Sequence, residues 1–220
     1  MGEWILIVVG AVLVLLLAWY AGFTRYNRHR GSAVLLWVQA ACLGRGRIAH
    51  SRWQDSTSQL KATLRLSSRW FEEAHLTVHL LPRPVPGRWL VSRWRKQRET
   101  LTFEADMGFA PGFSMDVIRR RWSGHAGKKA RSGTGTRTWN LFRPGPIVLT
   151  TREDWPAELS AVVNAFATWR DKDFISVRFS PTSPHFTATV ALESLSDQNA
   201  AGLLGLFREL AASASSARQQ

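Results

Sequence analysis

The sequence lacks the residue patterns by which most catalytic and metal sites are recognised. It contains one cysteine, Cys42, so neither an intrachain disulfide nor a cysteine metal cluster can form. The patterns GxSxG, HExxH and CxxC are absent, and so are the phosphate-binding patterns GxxxxGK[ST] and GxGxxG. We therefore predict no catalytic residue, no cofactor and no metal ion. Cys42 lies in an apolar helical pattern, which predicts a buried thiol.

Two pairs of polar residues come closest to a site, and each is better explained as one face of a strand. His75 and His79 alternate with apolar residues, and in a strand they would lie about 13 Å apart, too far for one metal ion. Glu104 and Asp106 also alternate with apolar residues, which indicates the solvent face of a strand rather than an acid–base pair.

The sequence does contain one long apolar run without a charge, residues 4–23. As a helix it would be about 30 Å long, the thickness of a bilayer's hydrocarbon core. Trp4, Trp19 and Tyr20 lie near its ends, where aromatic rings favour the membrane–water interface. A cleaved signal peptide is disfavoured because no Lys or Arg precedes the run and no small-residue cleavage site follows it. We predict a retained single-pass signal-anchor helix.

Basic residues after the run predict its direction. Arg25, Arg28 and Arg30 follow it, whereas residues 1–3 include neither Lys nor Arg. Basic flanks stay on the cytoplasmic side of a membrane. We therefore predict an extracytoplasmic segment 1–3, a transmembrane helix 4–23 and a basic juxtamembrane linker 24–31. The expected location is a bacterial-type inner (cytoplasmic) membrane with the following domain in the cytoplasm.

Strand-like alternation and a few helical stretches fill the rest of the chain. They predict an α+β domain over residues 32–212, with a mainly antiparallel sheet and helices on one face. Residues 123–135 are rich in glycine and basic residues, which indicates a flexible loop, and residues 213–220 read as a disordered tail. The predicted helices are 33–43 (capped by Ser32 and ended by Gly44), one beginning at Pro86, one beginning near Asp154 and one beginning near Ser196; the predicted strands are 47–53, 60–66, 74–80, 100–106, 113–122, 138–142, 146–151, 174–180 and 185–193.

An internal repeat links two of the predicted hairpins. Residues 48–66 align without gaps to residues 174–192, with Arg52 matching Arg178 and Thr63 matching Thr189. A duplicated helix–hairpin unit would explain this match. Two unrelated hairpins with the same alternation would explain much of it too, so the sequence leaves both explanations open.

Positive charge is concentrated in one part of the chain. The net charge is +13, and residues 83–137 carry thirteen Lys and Arg against four Asp and Glu, or +9 of that total. Such a field implies an acidic partner. The candidate contact residues combine arginine with tryptophan, and they are Arg88, Trp89, Arg93, Trp94, Arg95, Lys96, Arg98, Arg119, Arg120 and Arg121.

Together these features predict a membrane-anchored, non-catalytic accessory or scaffolding protein. Its basic, tryptophan-rich cytoplasmic domain would dock on a membrane-protein partner, on anionic lipid headgroups, or on both. One alternative is a membrane-tethered nucleic-acid-binding protein, which is disfavoured because an anchor already supplies an anionic surface. Another is an enzyme acting on a lipid-linked substrate, which would need a cleft with convergent polar groups.

Overall fold

The chain begins as one helix of 40 residues, α1 (Gly2–Ala41), in the computed structural model. The structure describes residues 2–42, 46–54, 57–67, 70–111, 113–119, 137–141, 147–151, 174–195, 205, 207–212 and 214. By length and composition α1 can cross a membrane, and an N-terminal signal sequence meets the same criteria. Side chains of residues 3–18 are exposed on every side of the helix. The predicted long apolar N-terminal helix is therefore confirmed as a helix.

The predicted helix boundary at Ser32 was wrong. Residues 24–31, expected as a linker, are helical, and α1 continues through the expected second helix to Ala41. No proline interrupts this part of the sequence. One face of it packs on the domain, which stabilises the helix more than the local stop signals at 31–32 weaken it. Its buried residues recur at alternating spacings of four and three, at Asn27, Gly31, Val34, Val38 and Ala41.

Within the described residues, nine strands form one sheet in the order β1-β2-β3-β4-β9-β8-β5-β7-β6. All neighbouring pairs are antiparallel, as the alternation predicts. A second helix, α2 (Pro86–Trp94), connects β3 to β4, and its start at Pro86 is as predicted. The strands are β1 (Gly46–Trp53), β2 (Gln59–Leu66), β3 (Phe71–His79), β4 (Thr100–Met107), β5 (Met115–Arg119), β6 (Arg137–Leu141), β7 (Ile147–Thr151), β8 (Phe174–Phe179) and β9 (Phe186–Ala191).

The hydrophobic core lies on one face of this sheet, and helices cover it. Alternate side chains of β4, such as Phe103, are buried, while those between them are partly exposed. Val34 and Val38 of α1 belong to the core cluster, and so does Phe207 of the last helical residues (205, 207–212 and 214). The rings of Phe103 and Phe207 stack with centroids 4.8 Å apart. The described helices that reach the core thus agree with the predicted α+β arrangement.

Several sequence predictions fall on residues outside the described ranges. These are the glycine-rich loop 123–135, the helix near Asp154, the helix end at Gly44 and the start of the last helix near Ser196. Of the predicted tail 213–220, only Ala214 is among the described residues, and it is helical and buried.

The β1–β2 and β8–β9 hairpins, which correspond to the two aligned segments, share their pairing register. In β1–β2, Ile48 pairs with Leu64 and His50 with Thr63, which leaves Ala49 as a bulge. In β8–β9, Phe174 pairs with Val190 and Ser176 with Thr189, which leaves Ile175 as a bulge. Every equivalent position differs by the same 126 residues as in the gapless sequence alignment. A bulge at matching positions is more specific than alternation, because bulges occur at particular sites in a sheet.

Gly31 lies where α1 approaches the β1–β2 hairpin most closely. A Cβ atom built on Gly31 would lie 2.6 Å from Cη2 of Trp53 and 3.2 Å from Cδ2 of Leu60. A Cβ atom on Gly22, in the same helix, would have no atom of the described residues within 4 Å. The hydrogen-only side chain at position 31 is therefore a packing requirement, whereas at position 22 it is not.

We expect Gly31→Ala to lower the free energy of unfolding by about 1–3 kcal/mol, because the Trp53 ring must shift to admit the methyl group. The matched control is Gly22→Ala, which should leave stability unchanged or raise it by about 0.5–1 kcal/mol through higher helix propensity. Thermal unfolding of the two variants in mild detergent measures the difference. Equal stability of the two variants would contradict close packing of α1 on the sheet.

Candidate functional site

Glu99 is a buried carboxylate just before β4, and cations from two other elements meet it. Nη1 of Arg83, in the segment between β3 and α2, donates a hydrogen bond to Glu99 Oε1. Nε of Arg30, on α1, lies 3.5 Å from Glu99 Oε2. The Leu81 amide also donates to Oε1, at 3.3 Å. With 8% of its side chain exposed, Glu99 would be costly to bury without these partners.

Asn27 of α1 completes the same network from the helix side. Its side chain is fully buried; Nδ2 donates to the Leu81 carbonyl at 3.0 Å, and Oδ1 accepts from Arg83 Nη1 at 3.2 Å. The Arg83 guanidinium also lies over the Tyr26 ring, 4.9 Å from its centroid. We call Asn27, Arg30, Arg83 and Glu99 the helix clamp, because they fasten α1 to the segments just before and just after α2.

Sequence reasoning missed two members of the helix clamp. Asn27 was part of a predicted linker, and Glu99 had no assigned role. A signal for Glu99 was present: residues 83–98 include six Lys and Arg and no acid, and Glu99 follows them directly. A lone acid at the end of such a run is a good candidate for an ion pair, but the run alone does not say which cation it binds.

Trp19 extends the attachment towards the apolar half of α1. Its indole Nε1 donates to the Arg83 carbonyl at 3.0 Å. Its ring lies 4.5 Å from the Phe23 ring and 5.8 Å from the Trp89 ring of α2, centroid to centroid. Trp19 precedes the end of the apolar run at Phe23 by four residues, or about 6 Å along a helix axis. The contact therefore holds α2 beside the last turn of that run.

The two predicted tryptophans of α2 have different environments. Trp89 is half-buried against Trp19, and Ser92, one turn later, is buried. Leu90, Val91 and Trp94 point away from the domain and are 64%, 45% and 85% exposed. The helical spacing of Leu90 and Trp94 is as predicted, but their exposure was not foreseen. Helix phase divides the segment into one face that packs on Trp19 and one free apolar face.

Lys96 ends α2 in a left-handed backbone conformation, which is usually found at glycine. Its φ is 52°, in the left-handed region. The Lys96 amide donates to the Arg93 carbonyl at 3.0 Å and the Gln97 amide to the Ser92 carbonyl at 2.9 Å. These are the two hydrogen bonds of a Schellman C-terminal motif, whose left-handed position strongly favours Gly. A lysine there costs about 1–2 kcal/mol of local strain.

Most of the predicted basic contact residues are exposed around α2. The Arg93 guanidinium lies over the Trp89 ring, 5.7 Å from its centroid, and Arg98 makes an exposed ion pair with Glu193 at 2.6 Å. The other exposed members are Arg88, Arg95 and Lys96, while Trp4, Tyr20, Arg25 and Arg28 are exposed along α1.

Strand register extends this basic region to β5. Ile118 pairs with Ser176, Ser176 with Thr189, and Thr189 with Thr102. Arg119, the next residue of β5, is therefore at the same end of the sheet as Thr100, where α2 leads into β4. Arg120 and Arg121 lie outside the described residues. The structure thus brings Arg119 and the α2 cations to one sheet end.

An open cleft of about 460 Å³ lies at this end of the sheet, behind α2. Burial lowers the pKa of His79, with a smaller lowering from Lys61 and an opposing rise from Glu104. The lower pKa favours the uncharged imidazole at neutral pH. The lining residues are His79, Leu80, Leu81, Pro82, Lys96, Gln97, Arg98, Thr100, Ile175 and Thr189.

Asp106, Ser183 and His185 meet in space, although the sequence did not indicate it. Ser183 Oγ donates to Asp106 Oδ2 at 2.9 Å, and the His185 amide donates to Asp106 Oδ1 at 3.3 Å. His185 Nδ1 accepts the Met107 amide at 3.3 Å. The serine hydroxyl is thus bonded to the carboxylate and not to the imidazole, unlike a nucleophile and its base. The three residues fasten the β8–β9 turn to β4.

The described part of the chain gives little support for a metal site or for a reactive thiol. No group of three or more His, Cys, Asp or Glu in those residues is placed to hold a metal ion. His75 and His79 lie on strand β3, as predicted. Cys42 is buried as predicted, and its burial raises the thiol pKa, which keeps the thiol protonated and unreactive at neutral pH.

No protein-family model matches this chain, and comparison with curated protein sequences found no match either. The assignment of a function therefore depends on the arrangement of the described residues.

We expect Glu99→Gln to lower the free energy of unfolding by about 3–5 kcal/mol, because it leaves the Arg83 charge buried without its partner. The matched control is Glu193→Gln, which breaks the exposed pair with Arg98 and should cost less than about 1 kcal/mol. Denaturant unfolding of both variants in mild detergent measures the two effects. A loss for Glu99→Gln no larger than the control's would show that the helix clamp does not stabilise the domain.

Proposed function

We propose that this chain is a single-pass membrane protein whose basic domain acts as a non-catalytic accessory or scaffolding unit. Residues 4–23 of α1 cross a bacterial-type inner membrane, with the N-terminus outside and the sheet domain in the cytoplasm. The domain docks on a membrane-protein partner, on anionic lipid headgroups, or on both. The observation that carries this proposal is the continuity of α1: one helix is both the apolar span and, through the helix clamp, a packed element of the domain.

A continuous helix that is fixed to the domain limits the heights and rotations that the domain can take relative to its anchor. An ordinary flexible linker would let a domain sample many heights and rotations relative to its anchor. Here Asn27 binds the β3–α2 segment and Arg30 contacts Glu99, both within two turns of Phe23. The sheet end with α2 and Arg119 consequently stays next to the apolar run. Such fixed placement of a basic surface suits a protein that presents contacts to partners in or on the membrane.

Arginines beyond the span support the proposed direction. Arg25 and Arg28 are exposed on α1 directly after the apolar run. Basic residues this close to the end of a span favour a cytoplasmic location for that side.

A second candidate function has one specific observation in its favour. The 460 Å³ cleft behind α2 has polar side chains from His79, Lys96 and Thr100, which is the convergent lining that a lipid-linked substrate would need. An uncharged His79 can accept a proton, as a general base must. Against this function, the cleft lining includes no acid that could pair with His79 among the described residues.

Native purification tests the proposed function. We expect the full chain, extracted with mild detergent, to migrate as a particle larger than its 24.8 kDa mass plus a micelle and to retain a membrane-protein partner. A variant with Leu36→Arg, at an exposed position of α1, is a control that keeps the span and the helix clamp. A strictly monomeric particle without a partner or bound anionic lipid would contradict the proposal. Turnover of a copurified lipid-linked compound would favour the second candidate, and salt-sensitive nucleic-acid binding would favour the tethered nucleic-acid-binding alternative.

We also infer that the two hairpins with matching bulges descend from one duplicated helix–hairpin unit. Separate sequence profiles of residues 48–66 and 174–192, each built from homologues, should align at the same offset, with Ala49 opposite Ile175. The shared bulge ties this alignment offset to the strand register, because shifting one strand by a single residue would turn all of its side chains to the other face of the sheet. A best alignment at any other offset would contradict duplication.

A further inference from the structure

We propose that α2 is an in-plane membrane helix that inserts Leu90, Val91 and Trp94 into the interface of an anionic leaflet. The cations on either side of this apolar face, Arg88, Arg93, Arg95 and Lys96, bind lipid phosphates. This inference deepens the proposed function and rests on its claim that residues 4–23 cross a membrane. It commits the surface of α2 to lipid rather than to a protein partner.

The first argument is the height of α2 relative to the span. Trp19 contacts both the Arg83 carbonyl and the Trp89 ring, so the start of α2 is level with Trp19. Trp19 lies about 6 Å inside the end of the apolar run, within the depth of about 5–10 Å at which interfacial helices lie. At that height the surroundings of the protein are lipid headgroups and the ends of acyl chains. Exposed side chains near the start of α2 that point outward face them.

The second argument is the arrangement of residues around α2. At about 100° per residue, Leu90, Trp94 and Val91 occupy one arc of about 100°, opposite Trp89 and Ser92. Arg93 borders one side of the arc, and Arg88 and Arg95 border the other. Tryptophan and aliphatic residues on one face with basic residues at its margins are the pattern of helices that lie in a membrane interface. Long arginine side chains can reach phosphates while their stems remain beside lipid.

The third argument is the choice of Lys96 at the left-handed end of α2. Glycine would satisfy the backbone there without strain, yet the position carries a cation with φ of 52°. A strained residue at an exposed site indicates that its side chain is needed. Lys96 is exposed at the end of α2, next to Arg95. A headgroup phosphate is the partner that such a cation would meet at this height.

Charge distinguishes an anionic leaflet from other occupants of this face. Residues 83–98 contain no acid, and cations border both sides of the apolar face of α2. An anionic leaflet offers negative charge and an apolar layer together, in the order that α2 presents them. Nucleic acid would match the charge but would leave Leu90 and Val91 without an apolar partner.

Site-specific fluorescence on the full chain tests the inference. Leu90→Cys and Trp94→Cys are labelled with an environment-sensitive dye and reconstituted into vesicles of phosphatidylcholine, with or without phosphatidylglycerol. Arg65→Cys, on an exposed residue of β2, is the matched control, and the wild-type chain with its buried Cys42 is the blank. We expect the dye at 90 and 94 to brighten several-fold and shift to shorter wavelength in anionic vesicles, while the dye at 65 remains aqueous. Aqueous spectra at 90 and 94 in both vesicles would overturn the inference.

A charge-removal variant tests the headgroup contacts. Arg88→Gln, Arg93→Gln, Arg95→Gln and Lys96→Gln together should abolish the difference between anionic and neutral vesicles. The control removes equal charge from exposed strand positions: Arg47→Gln, Arg52→Gln, Lys61→Gln and Arg65→Gln. It should leave that difference intact. Equal insertion of the unchanged chain into both kinds of vesicle would overturn the role of lipid phosphates.

Alkaline extraction of the same vesicles distinguishes a failure of the proposed membrane span from a failure of the inference about α2. If the chain is released, α1 does not span the bilayer and the proposed function fails. If the chain stays in the membrane while residues 90 and 94 read as aqueous, the anchor stands and the inference about α2 is wrong.

Discussion

Burial of the Glu99 carboxylate is the constraint on which the arrangement of this protein depends. A carboxylate with so little access to water must keep its cations, and those cations come from α1 and from the segment before α2. The same charge therefore joins the apolar helix, the basic helix and the sheet at one point. The Leu81 amide donates to this carboxylate, and the Asn27 side chain donates to the Leu81 carbonyl. Because the contacts belong to one network, α2 and α1 keep a fixed relation to each other.

Local patterns predicted the elements of this fold better than their connections. Alternation identified β2 and β4 because one face of each strand is buried and its period is two. The boundary at Ser32 was wrong because a good N-cap residue was read as a local helix start, whereas the packing of Gly31 on Trp53 depends on a residue in another element. Arg83 and Asn27 meet across 56 positions of the chain, so no local pattern could have paired them.

For the candidate site, too, the sequence predicted the elements better than the contacts between them. Composition identified the basic, tryptophan-containing stretch 88–98, and Pro86 predicted the start of its helix. The sequence could not say whether Trp89 or Trp94 would be buried. That depends on helix phase relative to Trp19, a residue of another helix. Arg119 was grouped with the stretch by charge alone, and strand register now places it at the same sheet end. Surface charges separated by more than about 10 Å are largely screened in physiological salt, so such clustering decides whether they act together.

The continuity of α1 has a mechanical consequence. Transmembrane helices tilt when their apolar length exceeds the thickness of the surrounding bilayer. A helix that ended at the membrane surface would absorb such a tilt in its linker. In this protein the helix continues into the core of the domain, so, on the proposed membrane span, a lean of residues 4–23 would rotate the whole sheet about the point where α1 leaves the bilayer. The angle between the sheet and the membrane plane would then depend on membrane thickness.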